Sequence, residues 1–212
     1  MTQAKVVRTV KLILCAAVLP LGMLLNGCSI GPAARESMVN YDLGPQRVPA
    51  QSTTRSGMTL MVPPAVSPAW LDSPGIVYRL AYQDAARPQT YAQSRWVDTP
   101  AALLTQRVRS RFAAAGPVVG SGDGARADFA LQIEIEDFSQ SFSTAERSQV
   151  SIRIRATLVN LANRTLHAQR TFSLEQAAGA DAEGAARGLA QTADAVIESL
   201  LEWTLQGLKT AK

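Results

Sequence analysis

The chain has 212 residues, 21 Lys and Arg against 17 Asp and Glu, a formal charge of +4, two cysteines and one histidine. Three of the basic residues and no acidic one fall in residues 1–27, so the remainder carries +1, too little to argue for a nucleic-acid partner. Cys15 lies in the same segment, which leaves Cys28 alone and excludes a disulfide or a cysteine-based metal site in the rest of the chain.

Lys5, Arg8 and Lys11 precede a run from Leu12 to Leu25 in which every residue is apolar, or small and uncharged. About 14 residues of that kind suit the apolar region of an export signal and are too short to span a bilayer core as a helix. The run ends in Leu25-Asn26-Gly27-Cys28, followed by Ser29, and this resembles a bacterial lipobox. The resemblance implies that the Cys28 thiol receives a diacylglycerol, that the peptide is cut before it, and that the new amino group is acylated. Several acyl chains anchor stably where a single one does not, because each buried CH₂ contributes about 0.8 kcal/mol. Ser29 is not Asp, which by the Gram-negative sorting rule directs a lipoprotein to the outer membrane. The chain therefore divides into a signal peptide over 1–27, a lipidated tether over 28–37 and one domain over 38–212.

In that domain, residues 38–43 predict a first strand, 44–57 a loop rich in Pro, Gly and Ser/Thr, and 58–62 a short buried strand. Residues 68–71 predict one helical turn. Residues 76–81 and 91–96 predict a hairpin whose loop spans 83–89. Thr99 and Pro100 mark a helix start, Leu104, Val108 and Phe112 give its apolar stripe, and Gly116-Pro117 end it. Arg107, Arg109 and Arg111 interleave with the stripe. Without aromatic neighbours they read as a solvated flank rather than an anionic-surface patch.

The strongest strand signal alternates Phe129, Leu131, Ile133 and Ile135 with Gln132, Glu134 and Glu136. A second alternates Val150, Ile152, Ile154, Ala156 and Leu158 with Ser151, Arg153, Arg155 and Thr157. The expected antiparallel register sets Ile133 opposite Ile154 and Glu134 opposite Arg153, with Ser143-Thr144 near the tip. Phe138 and Phe142 are out of phase with Ile135, so a bulge is expected near Asp137. A third strand carries Leu166, Ala168, Phe172 and Leu174 inward and His167 outward. A last helix over 181–209 has a broad stripe from Leu189 to Leu208 that suits packing on the sheet.

No catalytic set stands out. His167 reads as solvated, and Glu134, Glu136 and Asp137 read as alternating on an exposed strand face. No spacing points to a metal, a cofactor or a bound phosphate.

Several stretches together carry a family resemblance: the lipobox, Asn40-Tyr41-Asp42-Leu43, Trp70-Leu71-Asp72, Ile76-Val77-Tyr78-Arg79, and Arg95-Trp96 just before a helix. With two long alternating strands and a C-terminal helix after them, the chain resembles the ABC-type transport auxiliary lipoproteins, the PqiC-like family. The resemblance implies an α/β fold of the α+β type. That is a single compact domain, with a mid-chain helix and a long C-terminal helix packed on a mostly antiparallel sheet. It implies a non-catalytic lipoprotein held on the periplasmic face of the outer membrane by acyl chains on Cys28. It further implies a periplasmic MCE-domain partner, itself beside an ABC ATPase and permease, in a system that moves lipids between the membranes and supports envelope integrity. Some members form homo-oligomeric rings that receive the end of an MCE tunnel. Two other readings stay open at this point: an envelope-assembly or scaffold lipoprotein bound to another outer-membrane protein, and a lipid-anchored enzyme acting through Glu134 or His167.

Overall fold

The two alternating segments become the longest pair in the sheet. In the computed structural model, which describes residues 37–46 and 57–210, β6 (Phe129–Phe142) runs antiparallel to β7 (Ser148–Asn160), and β7 to β8 (Thr165–Ala178). Before them come β1 (Val39–Tyr41), β2 (Leu60–Met61), a 3₁₀ turn (Ala69–Leu71), β3 (Gly75–Leu80), α1 (Ala81–Asp84), β4 (Gln89–Trp96), α2 (Pro100–Ala113) and β5 (Val118–Val119). A long helix, α3 (Ala182–Thr210), follows β8. The architecture is the expected α+β one.

The register of the central hairpin differs from expectation by two residues. Ile133 faces Ala156, Glu134 faces Arg155 and Ile135 faces Ile154. The cause is the turn together with the bulge. Residues 143–147 close it, with the Ser143 N–H donating to the Arg147 carbonyl at 3.0 Å and the Arg147 N–H to Thr144 Oγ1 at 3.2 Å. This longer turn moves the pairing by three residues near the tip, where Phe142 faces Ser148, and the bulge takes one back, so the net shift of two keeps the same faces inward. The expected bulge is present: register shifts between Ile135 and Asp137, and Glu136 has no partner across the ladder. That extra residue restores phase and brings Phe138 and Phe142 into the core.

A second bulge was not expected. Leu158 faces Ala168 but Val159 faces Leu166, so His167 is skipped. The parity of the strand start is thereby inverted. Leu166 points to solvent at 62 % exposure, and His167 turns in toward α3.

Strand β6 organises the rest of the sheet. One edge holds β7 along its whole length. The other holds β2 at Phe129–Ala130, a bridge from Val66 to Glu134, and β3 at Gln140–Phe142, all parallel. Outside β3 come β4, antiparallel, and then β1, parallel to β4. Outside β2 comes β5.

The helices cover the apolar face. Thr99 Oγ1 accepts from the Ala102 N–H at 3.3 Å, and Pro100 occupies the first turn of α2, where its missing N–H costs nothing. Asp181 Oδ1 accepts from the Gly184 N–H at 2.6 Å and caps α3. Gly184 is required there, because a Cβ would sit 2.5 Å from the Gly179 backbone. The α3 stripe of Leu189, Ala193, Val196, Ile197, Leu200, Leu201 and Leu208 is buried with Val150, Ile152, Ile154, Ala156 and Leu158 of β7. Each large side chain so buried contributes roughly 1.5–3 kcal/mol.

Leu200→Ala, at a fully buried position, is expected to lower unfolding free energy by about 2–5 kcal/mol in urea titration. Leu166→Ala is expected to change it by no more than about 0.5 kcal/mol, because that side chain packs on little.

Candidate functional site

The three arginines of α2 are not a solvated flank, as the sequence pattern had implied, nor an anionic-surface patch. Each is fixed by a partner distant in sequence. Arg107 and Arg111 are one helical turn apart and face α3, where Asp194 and Glu198 have the same spacing. Arg107 Nε donates to Asp194 Oδ1 at 2.8 Å and Nη2 to Oδ2 at 3.0 Å. Its Nη1 and Nη2 also donate to the carbonyls of Gly44 and Leu43, at 2.5 and 3.1 Å. Arg111 makes the corresponding two-pronged contact with Glu198, through Nε to Oε1 and Nη2 to Oε2. Arg109, on the other flank, donates twice to the Val62 carbonyl, at 2.9 and 2.7 Å. Arg107 and Arg111 are only 8 % and 3 % exposed. Two parallel N–H···O bonds per pair give each contact a fixed geometry.

The Arg107–Asp194 pair borders a groove of about 400 Å³ between residues 41–45 and the N-terminal half of α3. Tyr41, Leu43, Ala186 and Ala190 give it apolar walls, Arg187 and Gln191 line its polar side, and Arg107 and Asp194 meet within it. A smaller hollow of about 250 Å³ is lined by Arg107 with Gln46, Leu103 and Gln106. Of the carboxylates here, Asp194 is engaged by Arg107 and Glu183 by Arg187, while Asp42 accepts from the Gly44 N–H at 2.7 Å. Neither hollow sets a histidine or a cysteine among its lining residues.

The residues weighed for catalysis are placed apart. His167 Nε2 lies 3.0 Å from the Gly207 carbonyl oxygen, and its ring meets Phe129 edge-on at 5.4 Å. Arg155 bonds both Glu134, at 3.2 Å, and Glu136. Asp137 accepts from Ser139 Oγ at 2.7 Å. Among the described residues there is no group of three or more metal-ligating side chains, and no helix long and apolar enough to cross a membrane. Leu25, Asn26, Gly27, Cys28 and Ser29 lie outside the described residues.

A buried polar cluster escaped the sequence. Gln140, fully buried, donates through Nε2 to Ser148 Oγ and to the Gly179 carbonyl, both at 2.7 Å, and accepts from the Tyr91 hydroxyl at 2.6 Å. Burial, with smaller contributions from Tyr78 and Asp181, pushes the Tyr91 phenol well above its ordinary pKa, so it stays a donor. The signal was the bulge: once Glu136 is extra, Gln140 belongs on the inward face.

Residues 41–200 match the model of a family described as the ABC-type transport auxiliary lipoprotein component. Among solved structures, the chain is similar to protein XCC0632 from Xanthomonas campestris, with TM-score 0.74 and 20 % identity over 82 % of this chain and 98 % of that one. It is also similar to the hypothetical protein CT253 from Chlamydia trachomatis, with TM-score 0.50 and 8 % identity over 72 % and 98 % of the two chains. Identities this low establish a shared fold and nothing further. No curated protein sequence matches the chain.

Arg107→Leu is expected to destabilise the fold by about 2–4 kcal/mol, since it strands Asp194 and two carbonyls. Arg155→Leu, which breaks exposed pairs, is expected to cost about 0–1 kcal/mol by the same denaturation measurement.

Proposed function

This chain belongs to the ABC-type transport auxiliary lipoprotein family, and on that premise we propose that it is a non-catalytic, lipid-anchored docking subunit of an MCE-type lipid transport system. The observation that carries the reading is the family match across 41–200, which spans every element from the end of β1 to most of α3. The anchor is Cys28, at the end of the apolar run and cationic flank described above. Acylation there holds the domain on the periplasmic face of the outer membrane, as Ser29 directs.

Geometry supports a tethered role. From Cys28 to Ser37 is nine residues. Even fully extended they span no more than roughly 30 Å. The domain therefore works within one domain diameter of the bilayer surface. Four of its carboxylates are committed to structure: Asp194 and Glu198 to α2, Glu134 and Glu136 to Arg155. In this reading ATP hydrolysis and lipid extraction belong to the ATPase and permease. This chain presents a rigid surface to the periplasmic MCE-domain protein, and thereby supports envelope integrity.

The test is capture from whole cells after crosslinking, alongside palmitate labelling. The unaltered chain is expected to take up label, fractionate with the outer membrane and capture an MCE-domain protein, and Cys28→Ser is expected to lose the label. An unlabelled parent chain, or capture of a different outer-membrane protein without any MCE protein, would overturn the proposal.

A further inference from the structure

The sheet ends on one side in an unusually long bare strand. β8 has 14 residues, and only Phe172 among them is buried. Its sole ladder partner among the described residues is β7. Native edges of this length are normally interrupted by proline, closely spaced charges or bulges. Here the bulge at His167 interrupts only the strand start. From Ala168 to Ala178 the pairing with β7 is unbroken, no proline occurs, and the charges are Arg170 and Glu175 alone.

We propose that this edge pairs with the same edge of a second copy of the chain, antiparallel about a two-fold axis at Ser173, joining the two sheets. The side-chain pattern of β8 selects the second copy as occupant. Ala168, Arg170, Phe172 and Leu174 face the helices, opposite Leu158, Ala156, Ile154 and Ile152 of β7. At this rim the core is unfinished. Leu174 is 37 % exposed, Arg170 lies over the Phe172 ring at 5.1 Å, and Trp203, half-buried, meets Phe172 edge-on at 5.7 Å. A two-fold pairing that keeps both helix layers on one face must match residues of the same parity. Centring on Arg170 or on Glu175 sets like charges directly opposite, which is destabilising. Centring on Phe172 sets Leu174 opposite Arg170, and centring on Leu174 sets Phe172 opposite Gln176. Centring on Ser173 sets Phe172 and Leu174 opposite each other, twice. It also places Arg170 opposite Gln176 and Glu175 opposite Thr171. The edge is thus complementary to itself in that register, and the backbone groups it presents from Ala168 to Ala178 gain partners.

The contact goes beyond the proposed transport role and does not depend on it. The test uses the full chain purified in detergent. Facing Cα atoms in an antiparallel pair are about 4.5–5.5 Å apart, within the span of a disulfide. Ser173→Cys is therefore expected to give a covalent dimer on oxidation, above any background from the parent chain. Gln169→Cys alone is expected to give none, and Gln169→Cys with Ala177→Cys to restore it. Thr171→Glu sets carboxylates opposite Glu175 at two places per dimer and is expected to weaken association about tenfold, with Glu175→Gln restoring it. All these positions are exposed. A chain that stays monomeric at tens of micromolar would overturn the proposal. So would an oligomer, such as a head-to-tail ring, in which Cys at 173 forms no crosslink.

Discussion

Two guanidinium groups taken out of water fix how α2, α3 and the segment after β1 sit together. A charge in that position is tolerated only when its donors are satisfied with good geometry. Arg107 meets the condition by engaging Asp194 and the carbonyls of Leu43 and Gly44 at once. Arg111 repeats the contact one turn later with Glu198. The two pairs thus act as a register device between helices that share few other contacts. The apolar stripe of α3 supplies most of the stabilisation on the sheet, but it is non-directional. The ion pairs determine which turn of α2 lies against which turn of α3.

This division of labour bears on function. The ionisable groups that might have served chemistry are used to hold elements in place, and the groove beside Arg107 inherits a rigid wall from them. A rigid surface of this kind is what the proposed docking role requires.

The sequence made local order legible. Period-two alternation located β6 and β7, the 3.6-residue stripes located α2 and α3, and Thr99-Pro100 marked the helix start. Even the bulge near Asp137 followed from Phe138 and Phe142 being out of phase. What it did not show was set by distance or by single-residue shifts. The register of β6 on β7 depends on a turn over 143–147, and the alternation is satisfied equally well two residues away. The parallel pairings of β1 and β2 involve two or three residues each, too few to leave a pattern. The partners of Arg107 and Arg111 lie 87 residues downstream. His167 faces inward because a bulge skips it, and nothing in its neighbours announces that. The proposed lipobox is the opposite case: Leu25 to Cys28 stand out in the sequence and lie outside the residues the structure describes.

Joined by Arg107 and Arg111, α2 and α3 form one cooperative unit. Native-state hydrogen exchange tests this directly. The account predicts that amides of α2 from Leu104 to Phe112 and of α3 from Leu189 to Leu201 open with the same free energy as those of β7. Exchange of α2 through a separate, lower-energy opening, with α3 and β7 still protected, would contradict it.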